Sequence, residues 1–279
     1  MESKRRLMLK TVDDDMTSYN GFKWKKRGMV TCSDWENTPK CGNGLHGLPM
    51  GIGDSELLSW DRSAKWLVFE ALGGYIEFSD KAKCEKARVL FCGDRKGATD
   101  YLVKHGADIS KVVGAFQTGG DGSQLTGGDW SQLCAGSDSQ LSGGMGSRLL
   151  GGMRSHLSGG DWSQLTGSEW SQLSGGDGSV LSGGFGSRLS GGDWNHLMAG
   201  DGSQLTGGDW SQLCAGSDSQ LSGGIGSALI FLWWDGNCQR VVVGYVEEGG
   251  LLSNVKYRLD RNHQIVPVEE SDLTVAKGI

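Results

Sequence analysis

The sequence predicts a mainly β protein. Its centre is a right- or left-handed β-solenoid of 7 coils of 16 residues, preceded by a small α+β domain and closed by a C-terminal β cap. Three observations carry this. Glycine supplies 48 of 279 residues, about 17% against roughly 7% in average usage, and the excess sits in one stretch. Residues 119–230 divide without a gap into 14 octads such as GGDGSQLT and GGDWSQLC. Position 7 of every octad is Leu, from Leu125 to Leu229; position 5 is Ser except at Asn195, and position 2 is Gly except at Ser168. A disordered low-complexity tract does not hold Leu in phase in this way.

The octad itself explains the solenoid. Ser-x-Leu places two side chains on one face of a strand. Leu requires burial, so Ser goes inside with it: Ser131 with Leu133, Ser163 with Leu165, and Ser211 with Leu213. A buried hydroxyl needs a partner, and the Ser or backbone of the next coil supplies one. Asn195 can do the same. The glycine pair is then expected to turn the corner, where a positive φ or a close backbone approach is needed. A helix is excluded, because each interior glycine would cost about 1 kcal/mol.

The side chains show that one coil is two octads. Position 4 of the even octads reads Trp130, Gly146, Trp162, Gly178, Trp194, Trp210, Gly226. Position 8 of the same octads reads Cys134, Leu150, Thr166, Ser182, Met198, Cys214, Ile230. In the odd octads position 8 is always hydroxylic: Thr126, Ser142, Ser158, Ser174, Ser190, Thr206, Ser222. The coil therefore has one small, polar face and one carrying Trp and most of the apolar outward residues. Seven coils stacked at about 4.8 Å give a rod about 34 Å long. Residues 119–147 recur at 199–227, with only Gly119/Ala199 and Met145/Ile225 differing. A solenoid tolerates such an in-register duplication.

Open solenoid ends are exposed β edges and need covering. Residues 231–279 are expected to be that cover and a frayed tail (269–279). Apolar runs at 229–234 and 240–246 flank the turn signal Asp235-Gly236-Asn237, and 256–259 can pair with 264–268 as a second hairpin. Residues 1–118 are a separate α+β domain. Strands are expected at 66–71, 74–78 and 87–92, a helix over 94–105, and a run-in to the first coil at 108–113.

Octads AGDGSQLT (199–206) and AGSDSQLS (215–222) resemble the repeat of bacterial ice nucleation proteins, and residues 233–266 resemble that family's C-terminal cap, with a Trp-Asp-Gly start and a late Tyr. The resemblance covers roughly residues 119–268. It implies a stacked-coil fold, an aromatic ladder that serves as a dimer seam, and an ice-facing strand bearing Thr at positions 6 and 8. Two departures stand against that activity. Position 6 is mostly Gln (Gln124, Gln132, Gln140, Gln164, Gln172), with Arg148, His156, Arg188 and His196 intruding. Family nucleators also carry dozens of coils, far more than here. The N-terminal part is similar to an uncharacterised domain that precedes such repeats in bacterial and phage proteins. Gly21-Phe22, residues 41–47 and the strand around Trp66 and Glu70 carry that likeness.

Composition narrows the function. A net charge of −6 and a pI near 5.4 argue against direct nucleic-acid binding. No apolar run is long enough to span a membrane, and the N-terminus lacks a signal-peptide core. The odd count of 7 Cys then reads as free thiols of a cytoplasmic protein. The polar cluster CGNGLHG, residues 41–47, allows a Cys41–His46 nucleophile and base, or a metal site with Cys32, Cys84 and Cys92, although no C-x-x-C spacing occurs. A glycine-rich turn explains it more simply. Likewise Gly93-Asp94-Arg95-Lys96-Gly97 could cradle a phosphate, but a helix-capping turn is the plainer reading. No cofactor, metal or small-molecule substrate is expected.

The expected function is a non-enzymatic interaction or scaffold protein, a homodimer or binder of a protein partner through Trp130, Trp162, Trp194, Trp210, Leu150 and Met198. The alternative is ice binding through Thr126, Ser142, Ser158, Ser174, Ser190, Thr206 and Ser222. A second alternative uses the repeat's 10 acids against 3 bases, mostly at position 3, as an acidic rod that imitates DNA and occupies a DNA-binding protein. Solubility explains those acids as well.

Overall fold

The computed structural model describes residues 5–18 and 21–269. The expected fraying beyond 269 lies outside the described residues. Two compact units are present: residues 1–116 with 127–131, and residues 117–126 with 132–279.

The first unit is built on one antiparallel sheet of Leu7–Val12, Gly28–Thr31, Leu45–Pro49, Lys65–Glu77 and Ala82–Gly93. Leu7–Val12 lies between Leu45–Pro49 and Lys65–Glu77. The long strand Ala82–Gly93 pairs with both of those, so the sheet closes on itself. Alternation along Leu7–Val12 sorts two cores. Met8 and Val12 join Trp24, Leu67, Phe69 and Cys84 on one side. Leu7 and Leu9 join Trp66, Val68 and, from the helix Arg95–Lys104, Ala98 and Leu102 on the other. The runs expected as two strands at 66–71 and 74–78 form one, Lys65–Glu77, with an irregularity between Leu72 and Tyr75. The strands Leu7–Val12, Gly28–Thr31 and Leu45–Pro49 were not expected. They are short, and two carry glycine, so neither length nor apolar alternation marks them.

The second unit is the solenoid. Odd-octad strands stack in parallel from Gln124–Thr126 to Gln220–Ser222, and even-octad strands from Gln132–Cys134 to Ala228–Trp234. Each residue pairs with the one 16 later, as Leu157 with Leu173, Leu165 with Leu181, and Leu213 with Leu229. The Leu side chains of both sheets form one core, each from Leu133 to Leu229 no more than 2% exposed. Leu133, Leu165 and Leu213 lie in it, and Ser131, Ser163 and Ser211 are among the buried hydroxyls. The Ser column is satisfied between coils. The Ser179 hydroxyl accepts from the Ser163 N–H at 3.2 Å and donates to the Gly160 carbonyl at 3.3 Å. Asn195 takes over the acceptor role at 2.6 Å from the Ser179 N–H.

The corner differs from expectation. The left-handed residue is position 4, not the glycine pair: φ lies between 54° and 70° at all 14 position-4 residues, Gly122 to Gly226. Eight of them are not glycine: Trp130, Asp138, Arg154, Trp162, Trp170, Trp194, Trp210 and Asp218. The glycine pair serves close approach instead. A Cβ on Gly175 would stand 2.8 Å from the Cβ of Ser179, and one on Gly176 would stand 2.7 Å from the backbone nitrogen of Asp161 in the coil before.

The C-terminal cap converts parallel stacking into antiparallel pairing. Ala228–Trp234 pairs along its length with Gln239–Tyr245. Leu221 meets Tyr257, and Tyr257–Leu259 pairs with Ile265–Pro267.

Candidate functional site

The two outer faces of the solenoid differ in chemistry. Positions 6 and 8 of each strand point outward while Leu at position 7 points in. On the even sheet, position 8 places Leu150 and Met198 in the open, Met198 at 58% exposure, followed by half-buried Cys214 and Ile230. The cap prolongs this face. Tyr245, Val243 and Val241 stand opposite Ala228, Ile230 and Leu232, and all three are exposed. The cap's share of the apolar face was not anticipated; the alternating apolar residues of 239–245 were its available signal.

The tryptophans flank this sheet at the corners. Trp162, Trp194 and Trp210 are 67%, 61% and 54% exposed. A bulky residue at positive φ is strained by about 1–2 kcal/mol, and each ring is positioned over the next coil. Trp162 and Trp210 lie on Gly178 and Gly226, where a Cβ would come within 2.7 Å of the ring. Trp194 instead stacks on Trp210, with centroids 5.7 Å apart and planes 16° apart. So a Trp is followed 16 residues later by Gly or by another Trp. Trp170 repeats the pattern at the odd corner, over Gly186 and edge-on to Phe185. Trp130 is different. It is half-buried in the first unit, stacked 4.7 Å from Trp60, and is not part of the exposed row.

On the odd sheet, Thr126, Ser142, Ser158, Ser174, Ser190 and Thr206 stand exposed in register. Ser222 does not: it is buried, in the last odd coil, beside the residues that the cap strand Tyr257–Leu259 covers. Gln124, Gln140, His156, Gln172, Arg188 and Gln204 form a parallel second row. The two rows border a shallow groove of about 780 Å³.

The position-3 acids have a structural role that composition did not reveal. The Asp161 Oδ1 accepts from the Asp177 N–H at 3.0 Å, Asp177 from Asp193 at 2.9 Å, Asp193 from Asp209 at 2.8 Å and Asp209 from Ile225 at 2.8 Å. Asp121 and Asp201 do the same for Ser137 and Ser217. The carboxylates are thus the rungs of a ladder. They also explain position 2: a Cβ on Gly176 would lie 2.0 Å from the Asp161 Oδ1. Ser168, the one non-glycine there, follows a coil with Met153 at position 3. At the odd corner Arg154 grips Asp138 through two 2.7 Å bonds, which hold that carboxyl below its ordinary range.

In the first unit the cluster at 41–47 forms a left-handed turn at Gly42, Asn43 and Gly44, followed by the strand Leu45–Pro49. Buried Lys83 pins the turn by donating to the carbonyls of Lys40 and Gly42 at 2.9 and 3.3 Å. Cys41 is exposed, and the buried Nε2 of His46 has no hydrogen-bond partner, so the two form no bonded dyad. Cys32 and Cys84 are buried, and burial pushes both thiols up, Cys84 to about 12. Among the described residues no group of three or more His, Cys, Asp or Glu could hold a metal. The turn before the helix is a cap, in which Asp94 accepts from the Gly97 N–H at 2.7 Å. No helix among the described residues is long and apolar enough to cross a membrane.

Two outward faces on a stack of 16-residue coils define a β-solenoid repeat protein with a separate N-terminal sheet domain. Comparison with known proteins agrees part by part. Residues 6–102 match the family model "Domain of unknown function (DUF7666)". A further part of the chain is similar to ice nucleation proteins. Identity is 36% to that of Pseudomonas fluorescens, over 42% of this chain and 10% of the relative. It is 39% to one from Pseudomonas syringae pv. syringae, over 39% and 9%. It is 32% to InaU of Pantoea ananas, over 39% and 11%. The chain thus spans about a tenth of the length of the curated relatives it matches. No catalytic activity appears in the names of these matches. No solved structure matches the chain.

Proposed function

We propose that this protein is a non-enzymatic solenoid scaffold that self-associates through its even side, with Trp162, Trp194, Trp210, Leu150 and Met198 at the contact. The observation that carries this is the contrast between the two outer faces. One is a row of hydroxyls beside a row of Gln, His156 and Arg188. The other exposes large apolar side chains over several coils and continues onto Val241, Val243 and Tyr245 of the cap. Large exposed apolar side chains mark contact sites, here with the exposed Arg148, Gln164, Thr166 and His196 among them, and aromatic side chains are enriched at interface centres. A standard interface takes about 800 Å² from each partner, a scale that several coils and the cap can supply. Trp130 is left out of the contact because it packs in the first unit.

Sedimentation and light scattering test the reading. Wild type is expected as a dimer. Changing Trp162, Trp194 and Trp210 together to Ser should give a monomer with an unchanged far-UV circular dichroism spectrum. Equal masses for the two proteins at every concentration would remove the even side from the function.

A second reading is ice adsorption through the odd side. It is favoured by six exposed hydroxyls paired in register and by the ice nucleation proteins among the relatives. Replacing Thr126, Ser142, Ser158 and Ser174 with Lys should abolish thermal hysteresis or ice shaping. Absence of any ice activity in the wild type would dismiss this reading and leave the first one intact. The acidic-rod reading has less support, since the Asp Oδ1 atoms are engaged between coils.

A further inference from the structure

The first unit contains a cleft of about 620 Å³ that neither proposed activity uses. It opens where two strands part. Leu7–Val12 and Leu45–Pro49 pair only at Met8–Pro49 and Leu9–Leu48. Beyond that point Lys10 and residues 41–46 line a gap, with Trp24, Phe22, Leu57, Leu58, Cys32, Asp34 and Lys81 around it.

Lys10 is the unusual group. Alternation along its strand places it on the same side as Met8 and Val12, toward the apolar core. Its Nζ lies 5.8 Å from the Trp24 ring centroid. Burial alone pushes its ammonium down to about 8, with no carboxylate acting on it. His46 is the second. Burial first, then the charges of Lys10, Lys81 and Lys83, hold its imidazole below the ordinary range, so the ring is neutral at pH 7. The Gly44 backbone beside the ring acts weakly the other way, and the buried Nε2 is unpartnered. A half-buried cation without an anion and a buried ring nitrogen without a donor are both costly. A single molecule could relieve both.

We propose that this cleft binds a small organic anion that carries a hydroxyl or N–H donor. The Lys10 ammonium takes the negative group, the His46 Nε2 accepts from the donor, and Trp24, Phe22 and the Leu57–Leu58 edge cover the apolar body. The groups facing Lys10 and His46 are Lys81, Cys32, Cys41 and Asp34, with Lys83 behind the turn. Asp34 accepts from the Gly44 N–H at 3.3 Å. An entering anion favours protonated Lys10. Affinity is therefore level below pH 8 and falls as pH rises past it.

The probe is 4-hydroxybenzoate, with neutral 4-hydroxybenzamide as its uncharged counterpart, added to the 279-residue chain. Reductive methylation followed by peptide mass spectrometry reads Lys10 directly, and the solenoid coils contain no Lys to interfere. The benzoate should slow methylation of Lys10 at least fivefold while surface lysines are unaffected, and the amide should not. Calorimetry should show affinity falling about tenfold or more in Lys10→Met, the scale of one lost charge-assisted hydrogen bond. Lys10→Arg should recover most of it, which excludes simple loss of the fold. Equal protection by benzoate and amide overturns the proposal. So does absence of protection, or an affinity that is flat from pH 7 to 9.5.

Discussion

Gly176→Val should destabilise the solenoid by about 3–5 kcal/mol. Overpacking alone costs about 1–3 kcal/mol, and a hydrogen bond to a charged group is worth about 1.5–3 kcal/mol. Both penalties apply here. The new Cβ would meet the Asp161 Oδ1 and, at 2.7 Å, the backbone nitrogen of the same residue. The carboxylate could swing away, but it would then release the Asp177 N–H that it holds at 3.0 Å. The backbone nitrogen cannot move without prying two coils apart. The useful comparison is Gly202→Ala. Gly202 has a φ of +66°, but its nearest neighbours are ring atoms of Phe185 at 3.7 and 3.8 Å. That change should cost only about 1–2 kcal/mol, the strain of a left-handed alanine. Urea midpoints of the two variants decide the matter. Equal costs would mean that corner conformation, rather than coil-to-coil approach, is what demands glycine.

Lys10→Met should stabilise the first unit at pH 7, and the gain should disappear in alkali. The Lys10 ammonium is held at about 8 in the folded chain against 10.5 for a free lysine. Below pH 8 the folded state carries a charge it would rather release, and the full penalty is present. Between pH 8 and 10.5 the unfolded chain binds more protons than the folded one, so wild-type stability rises with pH. Above 10.5 the penalty is gone. Every tenfold difference in proton affinity between the two states is worth about 1.36 kcal/mol. Allowing for the part of the side chain that water reaches, the gain at pH 7 is about 2 kcal/mol. Tyr75, pushed up to about 12, and the buried thiols titrate alike in both proteins, so the difference between their unfolding midpoints isolates Lys10. A gain that does not change from pH 7 to 10.5 would assign the effect to apolar packing of Met. A loss at pH 7 would mean that the ammonium has a favourable partner.

The two changes test different kinds of information. The glycine, Ser and Leu phases follow from a local rule, because strand alternation acts between residues two apart. A strand through Leu at position 7 and an interior of Ser and Leu were accordingly legible, although the strands begin only at position 6, after the Ser. The hairpin of the cap was legible for the same reason, since apolar runs flank a turn signal. The work of the position-3 Asp was not. Its partner is an N–H 16 residues ahead, in the next coil, and acid content alone suggested solubility or DNA mimicry. The position-4 corner was also hidden, because Trp, Arg and Asp there do not announce a positive φ as glycine does. The short strands of the first unit carry too few alternating residues to be seen.

Residues 121–142 and 201–222 have identical sequences, and they mark the limit most sharply. Trp210 is exposed, whereas Trp130 stacks on Trp60. Ser142 is exposed, whereas Ser222 is buried. No reading of the octads could separate these pairs. By itself the sequence determined the coil, its period and its two unlike faces, because those depend on neighbours along the strand and on a repeat that stacks in one register. Only the tertiary structure decided which Trp and which hydroxyls reach solvent, and which glycine meets a neighbouring backbone. It also brought Lys10 and His46 to one cleft, by letting two antiparallel strands diverge after two paired residues. Those outcomes depend on contacts between segments far apart in the chain, and local chemistry does not encode them.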